Sequence, residues 1–426
     1  MGHQMQSGDL TDSKRNFFGF SLSDKLCHRI AVAAFFFLLG CGFSCWGSRL
    51  SDVKAALNLN DAEFGMVLFS IPVGSFTGMA LSAYLVAKMG SKNMLTLAAI
   101  LYPLSLLSLS LAHKTWILCF GLFIFGICGN LCNISVNTQA VCVEKQYRRS
   151  IMATFHGVWS LAGFLGGLAS IPIVNLLHAS VFEHFLMLYI FSLFVLISMR
   201  RYLVEKDPPK PRQSEVITGR KHHRFHLDRY IVILGFIAFC CMATEGTMFD
   251  WSVIYFKDVL HAPLELERYG FISFMCCMAI GRFIADRFAT KFGAENVIKV
   301  SGILIASGLS LAVVFPKIST SSVGFALVGF GVSSIVPLCY SLAGKCRTMA
   351  TGAALTGVSS IGFFGFLMGP PLIGYISEHS SLRWSFTLIL FVGFSATFLS
   401  PILKRLNKTD SSELDAVAGE SSETNS

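Results

Sequence analysis

Apolar runs of about 18 to 25 residues, parted by short polar stretches, recur down nearly the whole chain. Each is long enough to cross about 30 Å of hydrocarbon as a helix. Stretches such as Ile30 to Trp46 and Phe185 to Met199 are almost continuously apolar, without the alternation that the strands of a membrane barrel show. Twelve spans are predicted, at about residues 29–48, 63–87, 94–112, 115–140, 150–177, 182–200, 229–252, 267–287, 295–316, 321–345, 350–376 and 383–403. The chain reads as an all-α polytopic membrane protein. A polar segment, 1–28, leads into a six-helix bundle over 29–200. A basic linker, 201–228, separates it from a second six-helix bundle over 229–404, and the small, polar, acidic residues of 405–426 predict a disordered tail.

Composition agrees with the pattern. Hydrophobic residues make up 53% of the 426 and charged residues only 14%, with a mean hydropathy of +0.62. A soluble domain carries about 25% charged residues, so a water-soluble globule is excluded. No small-residue cleavage pattern follows the first apolar run, so span 1 is expected to insert uncleaved. The thirteen cysteines lie almost entirely within apolar runs and read as small packing residues. Cys128 and Cys132 stand one helical turn apart with no His or carboxylate at ligand spacing, and neither a metal nor another cofactor is expected.

Charge orients the spans. With both termini on one side, 26 of the 34 Lys and Arg residues share that side, and the positive-inside rule makes it the cytoplasm. The net charge of +9 is thereby explained by topology, with the bilayer as partner and no nucleic acid. The linker cluster Arg220-Lys221-His222-His223-Arg224 fits the same solvated, positive-inside reading. An inner-membrane location is expected.

The two halves repeat. Gly78, Lys88 and Gly90 recur 203 positions on as Gly281, Lys291 and Gly293, and Gly121 and Gly126 recur at the same displacement as Gly324 and Gly329. Gly157-Val158-Trp159-Ser160 returns as Gly357-Val358-Ser359-Ser360, and Trp46 and Gly65 match Trp251 and Gly270. Six spans per half make the repeat parallel, about an axis along the membrane normal. This 6+6 repeat, the basic central loop and the Gly-rich loops after spans 2 and 8 resemble the major facilitator superfamily over about residues 29–404. In the loop Ala83-Tyr84-Leu85-Val86-Ala87-Lys88-Met89-Gly90-Ser91-Lys92, Ala87 stands where the superfamily has an acid and Ala83 where it has an opening Gly. More narrowly, Trp46-Gly47-Ser48-Arg49-Leu50, Asn137-Thr138-Gln139-Ala140-Val141, Phe155-His156-Gly157-Val158-Trp159-Ser160 and Glu245-Gly246 with Asp250-Trp251-Ser252 resemble the bacterial MosC-like and YbjJ-like group, with fucose permeases more distant. The resemblance implies a transporter.

Polar groups at membrane depth are costly unless they face protein or a water-filled cavity, so they mark candidate chemistry. Asn130, Asn133 and Asn137 share one face of span 4 and either hydrogen-bond a neutral ligand or hold helices together. Gln139 points the other way and reads as structural. His156 in span 5 reads as a proton relay, a ligand contact or a packing residue. Trp159 and Trp46 offer ring faces to a ligand or anchor at an interface. Tyr340, the repeat partner of Asn137, is the cavity residue expected from the second half.

Glu245, about 24 Å along span 7 from Arg229, is the acid deep in the second half; a carboxylate that loads and unloads a proton there couples transport to a proton gradient, and the alternative is a neutral structural hydrogen bond. Arg49, Asp250 and Trp251 are expected at the external rim, Arg49 paired with Asp250 or Glu245 as a gate, or drawing anions. Arg282 and Asp286, one turn apart in span 8, are expected to form a structural ion pair.

These residues point to a secondary active transporter for a small polar solute such as a sugar or polyol, moved with protons by alternating access and acting as a monomer. The competing readings are an exporter of amphipathic compounds, for which the 13% aromatic content speaks, and a receptor or passive channel. A membrane enzyme is not expected, because no nucleophile–base constellation or H-x-x-x-H spacing appears.

Overall fold

The computed structural model describes residues 14–17, 19–147, 151–205, 228–344, 346, 349 and 351–423. The expected segments 1–28 and 201–228 therefore fall partly outside the described residues. Twelve helical spans follow one another: Asp24–Gly47, Asp61–Met89, Ser91–Leu109, Thr115–Glu144, Met152–Asn175, Val181–Met199, Arg229–Val259, Tyr269–Phe292, Ala294–Val314, Ile318–Ala343, Thr351–His379 and Leu382–Glu423. Among the described residues, eleven are long and apolar enough to cross a membrane. Span 2 is two helices joined at Phe69, and span 7 ends in a π-turn over Tyr255–Val259.

Two features depart from the hydropathy pattern. A two-stranded hairpin pairs Lys14–Phe17 with Phe20–Ser23 ahead of span 1, too short to leave a periodic signal. The last helix runs on to Glu423, where composition predicts an irregular tail; the Leu, Lys, Glu and Ala residues of that stretch are good helix formers.

Packing follows the repeat. Span 1 packs on span 5 as span 7 packs on 11; the pairs 2 with 4 and 3 with 6 recur as 8 with 10 and 9 with 12. The bundles meet where span 2 lies against span 11 and span 5 against span 8, again a repeat-related pair. The recurring glycines explain themselves. Gly90 and Gly293 turn the chain between helices at φ of 81° and 84°, a region that only glycine adopts freely. A Cβ on Gly126 would stand 2.2 Å from the Ile71 carbonyl oxygen, and one on Gly329 would stand 2.2 Å from that of Phe274, 203 positions on. Small residues at these crossings let helix backbones touch, the main source of packing energy between helices in lipid.

Candidate functional site

A cavity of about 370 Å³ lies between the bundles and is walled by both. From the first half come Phe43, Trp46, Tyr102, Phe125, Asn130, Asn133 and Trp159; from the second come Met242, Phe249, Asp250, Phe363 and Phe366. Its aromatic walls are organised. Tyr102 stacks on Phe125 at 4.8 Å, with Trp46 6.3 Å from the same ring, while Phe249 meets Phe43 edge-on at 4.6 Å and stacks on Phe366 at 6.4 Å. Phe249 thus bridges the two halves.

Three polar groups in this wall stand out. The Trp46 indole is buried, and its Nε1 has no hydrogen-bond partner; neither has Asn130 Oδ1. Asp250 lines the cavity, and among the described residues it has neither an ion pair nor a hydrogen bond. Asn133 is exposed to the cavity, and Asn137, one turn nearer the termini, donates to Asn133 Oδ1 at 2.9 Å and to its carbonyl at 2.8 Å. The amide stripe is therefore two cavity residues and one that positions its neighbour.

Glu245 is not an isolated acid. Arg282 Nη2 donates to its Oε1 at 3.0 Å, Arg282 Nη1 donates to Ser160 Oγ of the first half at 2.8 Å, and the guanidinium lies 5.3 Å from the Trp159 ring centre. A single arginine thus ties the acid of span 7 to span 5 of the other bundle. The side chain of Asp286 lies outside the described residues. Arg282 turns its long side chain across the bundle interface, where a buried carboxylate and a ring face both engage it.

The rim residues divide. Arg49 is buried and stays within its own bundle, donating from Nε to His184 Nδ1 at 3.0 Å, from Nη1 to Asp52 at 3.0 Å and from Nη2 to the Ala179 carbonyl at 2.6 Å; it reaches neither Asp250 nor Glu245. Asp250 belongs to the cavity wall and not to the rim, because five residues of helix carry it only about 140° and 7.5 Å from Glu245. Trp251 is fully buried and meets Phe64 of the first bundle edge-on at 6.0 Å. His156 is exposed one turn from Ser160 with its ring edge-on to Phe36, and Tyr340 is half-buried against the second bundle; neither lines the cavity. Gln139 is buried between Ser91 Oγ, at 2.7 Å, and the backbone of Val204.

Sequence reasoning missed the closure on the side away from the termini. Arg268, almost wholly buried, donates from Nε to the Ser48 carbonyl at 3.0 Å and from Nη2 to Asp52 at 3.2 Å. Ser51 donates to Glu267, Lys54 pairs with Asp61 and with Asp258, and Glu378 accepts from the Asp61 amide at 2.9 Å. Burial alone would lower the Lys54 pKa; Asp61 and Asp258 more than offset it and hold the ammonium above its ordinary value. Under this network Gly65 of span 2 crosses Gly374 of span 11 so closely that a Cβ on Gly374 would stand 2.3 Å from the Asp61 carbonyl oxygen. The Ser, Arg, Asp and Lys residues that follow span 1, with Glu265, Glu267 and Arg268 after span 7, are the signal that marks this layer.

Two six-helix bundles related by a parallel repeat, closed at one end over a cavity that both line, define a membrane carrier fold. The model of the Major Facilitator Superfamily matches residues 32–345 and 269–423, and the chain belongs to that family. It is 28% identical over 375 residues to an uncharacterized MFS-type transporter of Yersinia pestis, covering 87% of this chain and 95% of that one. It is 29% identical over 367 residues to the membrane protein MosC of Rhizobium meliloti, covering 85% and 87%. Among solved structures, the nucleoside transporter NupG aligns with a TM-score of 0.70 at 13% identity over 88% of this chain and 99% of that one. A D-xylose–proton symporter aligns with a TM-score of 0.70 at 16% identity over 89% and 97%. The chain is a transporter of this superfamily.

Proposed function

We propose that this transporter is a secondary carrier that moves a small polar solute, a sugar, polyol or related compound, across the inner membrane with protons by alternating access. The observation that carries the reading is the cavity shared by both bundles and sealed by Arg268, Lys54 and the Gly65–Gly374 crossing on the side away from the termini. With the termini in the cytoplasm, as the basic-residue bias implies, the sealed side is external and this state faces inward. One chain holds both halves of the site, so a monomer suffices.

Coupling resides in the Glu245–Arg282–Ser160 link. A charged Glu245 shares Arg282 with the opposite bundle. A proton on Glu245 cancels the ion pair and leaves Arg282 to Ser160 and Trp159, so protonation changes the balance of a contact that the rocking bundles must remake. The similarity to a proton symporter agrees with this scheme in fold. The aromatic wall of Phe43, Phe249, Phe363 and Phe366 also favours a second reading, export of an amphipathic compound.

The test is uptake of radiolabelled sugars, polyols and amines into proteoliposomes under an imposed pH gradient. Accumulation that collapses with a protonophore is expected for the wild type. In Glu245→Gln, gradient-driven accumulation is lost while solute exchange persists. Accumulation that is indifferent to the protonophore, or intact in Glu245→Gln, overturns the scheme.

A further inference from the structure

The carboxylate of Asp250 has no role in that scheme. It faces the cavity, while Arg282 is engaged by Glu245, Ser160 and the Trp159 face. Arg49 and Arg268 are likewise held in the sealed layer, by Asp52, His184 and backbone carbonyls. Among the described residues no protein cation pairs with Asp250. An ionised carboxylate in an apolar wall is costly unless it takes up a proton or meets a charge of opposite sign, and in this site that charge has room to come from the ligand. The neighbouring surfaces suit a cation: Trp159 and Phe43, both partly exposed, line the same space, and ring faces attract ammonium groups most strongly where water is excluded.

Resting on the carrier reading above, we infer that the transported solute bears a protonated amine and that Asp250 is its counter-ion. The uncharged part of the ligand is held by the remaining partners. The exposed amide of Asn133 donates to a ligand oxygen or accepts from a ligand hydroxyl. The cavity of about 370 Å³ admits a body of monosaccharide size. The substrate class is thus a small hydroxylated amine, such as an amino sugar or amino alcohol, in place of a neutral sugar. Division of labour follows on span 7: Glu245 handles the proton through Arg282, and Asp250, about 140° further round the helix, handles the ligand.

The test is ligand-dependent thermal stabilisation of the purified full chain, since a compound that binds the folded state raises its apparent stability. Matched probes separate charge from shape: glucosamine against glucose and N-acetylglucosamine, galactosamine against galactose, and ethanolamine against ethylene glycol, each with wild type, Asp250→Asn and Asp250→Glu. The amine member of at least one pair is expected to stabilise the wild type at concentrations about tenfold or more below its neutral partners. Asp250→Asn loses that preference while unfolding at the wild-type temperature without ligand, and Asp250→Glu restores part of it. Equal response to amine and neutral partners, a preference that survives in Asp250→Asn, or no amine response in the panel overturns the inference. The two readings fail separately: proton-driven uptake of a neutral sugar leaves the carrier and removes the amine site, whereas amine binding that depends on Asp250 without proton-driven flux does the reverse.

Discussion

Gly374→Ala isolates the energetics of closure. A Cβ at this position would stand 2.3 Å from the Asp61 carbonyl oxygen and 3.0 Å from Gly65 Cα, backbone atoms that cannot rotate away. Spans 11 and 2 must therefore separate by several tenths of an ångström or more. Overpacking of this kind costs about 1–3 kcal/mol. Because the contact joins two bundles, the cost falls on the state closed on the side away from the termini and vanishes when the bundles part there. At about 1.4 kcal/mol per tenfold, the equilibrium shifts toward the form open on the side away from the termini by about 5- to 150-fold. Gly308→Ala is the matched comparison. Its Cβ would stand 2.3 Å from the Gly324 carbonyl oxygen, but both residues belong to the second bundle, so the penalty is present in every state. Hydrogen–deuterium exchange of the purified protein reads the difference. In Gly374→Ala, amides over Asp61–Leu68 and the outer end of span 11 exchange faster by the shift in population, with a small change in Tm. In Gly308→Ala, Tm falls and exchange over Asp61–Leu68 keeps its wild-type rate relative to the rest of the first bundle. Unchanged exchange over Asp61–Leu68 in a folded Gly374→Ala would refute the assignment of this crossing as the closing contact.

Two further outcomes follow from single residues. Gln139 joins span 4 to Ser91 and Val204 by three hydrogen bonds inside one bundle, so Gln139→Ala strands buried polar groups at about 1–3 kcal/mol each and lowers Tm in a thermal melt, without altering protonophore sensitivity of uptake. Burial raises the pKa of Glu267 above its ordinary 4.5, against the opposing charges of Lys257 and Arg268. The closed face away from the termini therefore binds more protons than an open one with Glu267 hydrated, and acidification from neutral toward 4.5 favours closure, an advantage that stops growing once both states are protonated. Exchange over Asp61–Leu68, corrected for intrinsic rates, slows across that range in the wild type and not in Glu267→Gln.

The spans, the even count per half and the repeat were legible in the chain itself because the bilayer imposes a length on each helix and a shared ancestry of packing imposes the same small residues at the same crossings. Gly90 and Gly293 are legible for a further reason: the turn they make admits little else, so the backbone requirement writes itself into residue identity. Depth and helical face single out Asn130 and Asn133 as ligand contacts or helix-packing groups, and leave Trp46 and Trp159 as ligand or interface residues; all four lie along the cavity wall. Charged groups escaped that logic. Local spacing offers Arg282 an acid one turn away, yet a side chain about 7 Å long at a bundle interface chooses among every group within its reach, and Glu245, 37 residues distant in the chain, is one of them. The same reach takes Arg49 to His184, 135 residues on, and Arg268 to Asp52. Asp250 moved from rim to cavity wall because a few degrees of helix rotation decide which way a single carboxylate faces, and rotation is set by the packing of Phe249, Trp251 and their neighbours across the interface. Hydrophobic length and small-residue spacing are properties of one helix and so survive in the sequence, whereas the partner of a buried charge is a property of three or four helices at once and exists only when they are assembled.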